Sequence, residues 1–334
     1  MQYLIPGFYT SIQFIVLIGL GFIIRRTGLV NGNFQKSVSA FLVKVAMPVY
    51  FFANMGKADI SFLKGSLFMP LAAIAIPAIS MLFAVIIFRF ISLPLKEKRA
   101  ALALSAFGNA GYIPLSLLEI LPMTMPVIAS VYNFEKAVVF IGVYLFIYSP
   151  LLWSFGNFLI ARSNVRFSFK ELLSPSLYGI MAGLLIPLLN IQHIVFDSAL
   201  PVIYIFKALE RLGSVLTPLI LVNLGAMIAG IKLHSSVKKQ MNVVLAGVAS
   251  VHYLIMPAVF YLLYFLVLRH INLDKTIIFV LFLEFHIPPA NNLSTMAMDA
   301  GINEDMTAYI LLVTYIMYVL LLPVFLILFT SLPV

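Results

Sequence analysis

The chain reads as an all-α membrane protein of ten transmembrane helices, arranged as two five-helix halves of opposite orientation. Three observations predict this: a composition no soluble core needs, ten apolar runs of membrane length, and two interruptions at matching places in the halves. Of 334 residues, 63% are hydrophobic and only 10% charged, and the mean hydropathy is +1.09. Such values mark a polytopic membrane protein. Cysteine is absent, which excludes disulfides and cysteine metal sites. The net charge of +9 does not call for nucleic acid. In a membrane protein, excess Lys and Arg reports loop topology and contact with anionic lipid headgroups. The N-terminal stretch MQYLIPGFYT has neither a basic n-region nor a small-residue cleavage site, so the first apolar segment is read as retained.

Runs of about 20 apolar residues fall at roughly 7–25, 36–56, 66–91, 99–121, 134–161, 174–191, 209–231, 240–267, 276–299 and 306–331. Segment 192–208 has the apolar spacing of an interfacial helix leading into the seventh span. Segment 163–173 reads as a short surface helix. The expected organisation is a first repeat over 1–161, a short cytoplasmic linker over 162–173 and a second repeat over 174–334.

Loop charge orients the chain. Loops after spans 1, 3, 5 and 7 carry twelve Lys or Arg: Arg25, Arg26, Lys36, Lys96, Lys98, Arg99, Arg162, Arg166, Lys170, Lys232, Lys238 and Lys239. Those on the other side carry six: Lys57, Lys64, Lys207, Arg211, Arg269 and Lys275. By the positive-inside rule, the richer side is cytoplasmic and both termini lie outside. The last cytoplasmic loop departs from the trend, with Glu304 and Asp305 and no basic residue.

The halves correspond. Span 2 carries Pro48 and span 7 carries Pro218. Span 3 has Pro77 and ends at Arg89; span 8 has Pro257 and ends at Arg269, each pair offset by 180 residues. Span 4 is interrupted by Gly108-Asn109-Ala110-Gly111-Tyr112-Ile113-Pro114, and span 9 by His286-Ile287-Pro288-Pro289-Ala290-Asn291-Asn292. Because five is odd, the second half enters from the opposite side, giving an inverted-topology repeat.

Unpaired backbone in hydrocarbon costs several kcal/mol per group, so such breaks belong where they are buried or line a polar cavity. Half-helix N-termini present N–H groups and a positive dipole end, equivalent to about half a unit charge, and so suit a carboxylate. The second half-helices are expected to begin near Gly111–Pro114 and near Pro288–Pro289, since proline suits a helix start. Asn109, Asn291 and Asn292 bring amides to the same level. Gly111, Tyr112, Pro114 and Pro289 complete the expected substrate-binding set. A simple kink is the alternative for either break alone.

These residues resemble a family. GNAGYIPLSLLEI in span 4, SVLTPLILVNLGAMIAG in span 7 and PPANNLSTMAMDAG in span 9 are similar to the auxin efflux carrier family, which includes plant auxin exporters and bacterial malate or malonate permeases. The resemblance covers the whole chain. The crossover pattern also occurs in bile-acid sodium symporters and related antiporter-like folds. The resemblance implies ten helices with the broken fourth and ninth crossing each other. It also implies a scaffold of spans 1, 2, 6 and 7, a transport part of spans 3–5 and 8–10, elevator-like alternating access, and homodimerisation in at least the plant branch. The long cytosolic loop of some plant members is absent here, which argues for the compact bacterial type and an inner (cell) membrane location.

Other intramembrane polar residues keep two readings each. Lys44, one turn before Pro48, either holds an anionic substrate from the scaffold side or snorkels. Glu284 and His286 either form a proton-binding pair that couples transport or tie the half-helix end. Asn223 either faces the crossover or bonds between helices. Glu119 reads as reaching the outer interface, His252 as structural, and Gly179 and Gly183 as a close helix–helix packing face.

The leading function is secondary transport of a small organic anion, a mono- or dicarboxylate, with a proton or sodium as coupling ion. The alternative is a sodium- or proton-coupled symporter or antiporter of related fold. Antiporters of that kind usually place an aspartate at the crossover, whereas these breaks carry asparagines. An intramembrane enzyme is disfavoured: no HExxH or GxGD pattern occurs, and nothing calls for a cofactor or metal. A non-transporting receptor stays open.

Overall fold

A computed structural model describes residues 4–161, 174–197, 199–230 and 239–333. The expected linker over 162–173 lies outside the described residues, as do Arg162, Arg166, Lys170, Lys232 and Lys238. The described chain is helical throughout. The helices are α1 (Leu4–Arg26), α2 (Gly32–Lys57), α3 (Phe68–Arg89), α4 (Leu95–Ala106), α5 (Tyr112–Thr124), α6 (Phe134–Ile160) and α7 (Pro175–Leu188), followed by α8 (Val202–Ser214), α9 (Leu216–Gly230), α10 (Met241–His270), α11 (Lys275–Phe285), α12 (Asn292–Ala300) and α13 (Glu304–Thr330). Short helical turns lie at Ser61–Gly65, Pro126–Ala129 and Gln192–Val195.

By length and composition, seven helical stretches among the described residues can cross a membrane. The expected spans 4 and 9 do not satisfy that length, because each is divided into two helices. The expected span 6 is a helix of 14 residues, about 21 Å at 1.5 Å per residue and shorter than a ~30 Å hydrocarbon core. The seventh expected span begins earlier than its apolar run. Continuous helix starts at Val202 and bends at Val215, between α8 and α9. Segment 192–208 therefore contributes the turn Gln192–Val195 as a separate helix, and only its end, from Val202, opens α8.

Apolar side chains point outward along α1, where Ile5, Phe8, Ile12, Ile15, Val16 and Ile23 are exposed. That is the pattern of a lipid-facing helix. Inside, α1 packs on α9 and α13, α2 on α7 and α8, and α3 on α4 and α6. Small residues permit the closest of these contacts. A Cβ at Gly183 would lie 2.7 Å from the Phe52 carbonyl oxygen and 3.0 Å from its Cα. Gly179 meets the backbone at Pro48 in the same way, so the GxxxG pair of α7 packs directly against α2. Gly21 and Gly225 interlock α1 and α9 reciprocally.

Proline explains two of three local widenings. A π-turn at Leu42–Ala46 precedes Pro48, another at Val251–Ile255 precedes Pro257, and a third at Leu152–Gly156 follows Pro150. Proline donates no hydrogen bond and its ring displaces the carbonyl four residues back, so the helix opens by one residue to accommodate it. Pro77, by contrast, sits inside regular α3. The correspondence of Pro77 with Pro257 thus holds in sequence position but not in local geometry.

Candidate functional site at the two helix breaks

The breaks lie between α4 and α5 and between α11 and α12, and they meet. Gly108 and Pro289 form an isolated antiparallel bridge. The Asn109 N–H donates to the Pro288 carbonyl at 2.8 Å, and the Ala290 N–H donates to the Phe107 carbonyl at 2.8 Å. Each break thereby satisfies backbone groups that its own helix leaves unpaired. Gly108 leaves room for this approach, since a Cβ there would come within 2.6 Å of the Ile287 side chain, which would have to shift.

Asn109 is 7% exposed and organises the first break. Its Oδ1 accepts from the Tyr112 N–H at 3.2 Å, capping the start of α5, and its Nδ2 donates to the Tyr315 hydroxyl of α13 at 2.5 Å. The Tyr148 hydroxyl of α6 donates to the Gly108 carbonyl at 2.6 Å. At the second break Asn291 stands at the N-terminus of α12 without a side-chain capping bond, and Asn291 and Asn292 are half-buried. Helix α12 begins at Asn292, later than the expected start at Pro288–Pro289. Those two prolines are held instead in extended backbone opposite the first break.

A cavity of about 60 Å³ opens between the breaks and neighbouring helices. Gly108 to Tyr112 and Ala290 to Asn292 form one wall. Leu145, Tyr148, Ser149 and Trp153 of α6 form a second, and Val43, Met47, Ser174 and Ser176 close it from α2 and the start of α7. The N-termini of α5 and α12 both open on it. Among the expected site residues, Asn109, Gly111, Tyr112, Asn291 and Asn292 line the cavity. Pro114 and Pro289 are buried beside it without lining it. Sequence reasoning missed Tyr148, Trp153, Ser174, Ser176 and Tyr315. Nothing local marks them, because their partners lie on other spans.

Four expected residues, Lys44, Asn223, His286 and Glu284, sit elsewhere. Lys44 is exposed within the π-turn of α2, while its neighbours Val43 and Met47 face the cavity. Asn223 bonds between helices, its Nδ2 donating to the Ser39 hydroxyl at 2.9 Å, and it lines a separate apolar cavity bordered by Ile24, Val38 and Phe41. His286 is buried among Phe260, Tyr261, Phe282 and Phe325. Its Nδ1 is 2.7 Å from the Phe282 carbonyl, and its Nε2 has no hydrogen-bond partner among the described residues.

Glu284 is 2% exposed, and neither carboxylate oxygen has a hydrogen-bond partner among the described residues. Glu284 and His286 therefore do not bond each other. Glu284 instead lines a second, smaller cavity behind the breaks, with Ser80, Gly108, Tyr144, Tyr148 and His252. Glu119 of α5 is half-buried, with Tyr50 of α2 and Thr217 of α9 as its polar neighbours. It sits at a helix interface and not at a free outer edge.

The chain matches the family model described as membrane transport protein over residues 7–326. A similar curated protein is the Arabidopsis thaliana protein PIN-LIKES 7, 31% identical over 166 residues, which are 48% of this chain and 41% of that protein. The match thus spans under half the length of that relative.

Proposed function

Because the chain belongs to the membrane transport protein family, the auxin efflux carrier and PIN-like group, we propose that it is a secondary transporter of a small organic anion, a mono- or dicarboxylate of auxin-like or malate-like type. The observation that carries the proposal is the convergence of two helix N-termini and three asparagines on one cavity. No Asp, Glu, Lys or Arg among the described residues lines that cavity. Positive helix ends and amide donors hold a carboxylate without a fixed counter-charge.

The reading includes ten spans as a five-plus-five inverted repeat, with both termini outside and a bacterial inner-membrane location. Spans 1, 2, 6 and 7 act as scaffold and spans 3–5 and 8–10 as the moving part, in a homodimer. The packing of α1 on α9 and of α2 on α7 and α8 favours this division. So does the position of the cavity, which has breaks and α6 on one side and α2 and α7 on the other. At about 60 Å³ the cavity is far below the ~300–1,000 Å³ of ordinary ligand pockets. That small volume fits a cycle in which substrate enters when the two parts slide apart. Glu284, a buried carboxyl without a hydrogen-bond partner among the described residues, favours a coupled cycle.

The test is uptake by purified protein in liposomes, using radiolabelled malate, malonate and indole-3-acetate. Wild type takes up at least one of them, and Asn109→Ala and Asn291→Ala, at equal folded amounts, lose that uptake. Unchanged uptake in both variants would remove the breaks from the site.

A further inference from the structure

His252 is 5% exposed and lies in the π-turn of α10. Its Nδ1 is 2.9 Å from the carbonyl oxygen of Ile287 and its Nε2 is 2.8 Å from the carbonyl oxygen of Leu104. Carbonyl oxygens only accept hydrogen bonds, and a neutral imidazole has one N–H and one lone pair. A neutral ring can therefore satisfy only one of these contacts, and the other sets two lone pairs against each other. The imidazolium, with two N–H groups, makes both bonds.

One carbonyl ends the helix before the first break and the other belongs to the second break. Leu104 lies in the last turn of α4, where carbonyls lack intrahelical partners and the dipole is negative. Ile287 lies in the extended segment between α11 and α12. One cation thus ties the end of the first half-helix of one break to the backbone of the other. Glu284 faces the same small cavity as His252, about 10 Å³ in volume, and its two oxygens are unpartnered. A buried carboxylate needs a nearby positive charge or a proton.

We propose that His252 and Glu284 form a single proton-binding unit behind the breaks, with the proton on the His252 imidazolium, the Glu284 carboxylate as its counter-charge, and the unit as the coupling site of the carrier. The coupling role rests on the transport reading above; the site itself does not. Loss of the proton breaks one of the two clamps and leaves an unbalanced buried negative charge. Release is thereby linked to the movement that opens the breaks to water.

The other groups around the ring are accounted for. Helix α3 contributes Ser80 and α6 the phenols Tyr144 and Tyr148, the latter donating to Gly108. From α4 the ring meets the Leu104 carbonyl. On α13, Tyr315 is bonded to Asn109, and on α10, Tyr253 donates to the Thr314 carbonyl. His286 is turned into its aromatic cluster. Among the described residues no Lys or Arg lines this cavity.

The experiment is solid-state nitrogen-15 NMR on the full chain in lipid bilayers, labelled at its five histidines, from about pH 6 to about pH 9, a window that brackets ordinary imidazole titration. The expected result is a signal with two protonated ring nitrogens near neutral pH. That signal is lost in His252→Gln and shifted to lower pH in Glu284→Gln. A wild-type His252 with one bare nitrogen throughout the range would overturn the proposal, as would a Glu284→Gln titration identical to wild type. Malate uptake driven by an inward proton gradient is measured in parallel. An imidazolium signal without uptake of any carboxylate would remove the transport reading and leave the proton site. Carboxylate uptake with a neutral ring would do the reverse.

Discussion

Replacing Asn109 by alanine tests the site and its energetics together. The side chain is buried and makes two bonds, accepting from the Tyr112 N–H and donating to the Tyr315 hydroxyl. The first is an end cap on α5, and losing such a cap costs about 0.5–2 kcal/mol. The second leaves the buried Tyr315 hydroxyl without its donor, at about 1–3 kcal/mol. Asn109→Ala should therefore destabilise the protein by about 3 kcal/mol. A domain stable by ~5–15 kcal/mol still folds after such a loss, so uptake can be compared at equal folded amounts. Stability is read from denaturant unfolding in detergent, followed by emission of Trp153, the single tryptophan. Transport is read as carboxylate uptake in liposomes. Destabilisation below about 0.5 kcal/mol, the range of ordinary surface changes, together with wild-type uptake would refute the geometry and the assignment.

Three further predictions address other parts of the molecule. Gly183→Ala forces a Cβ against backbone atoms of Phe52 at 2.7 and 3.0 Å, and should cost about 1–3 kcal/mol in the same unfolding assay. Lys44→Gln, at an exposed position outside the cavity, should leave uptake within about twofold of wild type, as surface changes do. Asp274 lies in the loop before α11, where burial raises its pKa but the Lys136 ammonium at 2.8 Å and Thr276 outweigh that and hold it below the ordinary value. Its contribution is therefore present above the unfolded value of about 3.9 and fades as pH falls through the lower folded value. Lys136→Met should shrink that acid-side loss, by about 1 kcal/mol or less for a pair exposed to this degree.

The two breaks were legible because glycine, proline and asparagine punctuate a helix through local backbone rules. Their pairing was not, since the bonds from Asn109 to Pro288 and from Ala290 to Phe107 join residues half the chain apart. The same long-range pairing explains the late start of α12. Pro288 and Pro289 look like helix openers locally, but they are held extended against Gly108. Of the two readings of Lys44, its exposed position in the structure sits with the snorkelling one. The two carbonyl partners of His252 stand 35 and 148 residues away, so its contacts had no local sign in the sequence. The close packing of Gly179 and Gly183, by contrast, was readable directly, because small residues four apart on one helix face have few other uses.

The central claim is that the paired breaks form one anion site, and Trp153 in the cavity wall reports on it directly. Titrating malate, malonate and indole-3-acetate into purified protein should produce a saturable change in Trp153 emission for at least one of them. That change should disappear in Asn109→Ala and in Asn291→Ala. A response of equal size and affinity in both variants, or none to any carboxylate in the folded wild type, would contradict the account.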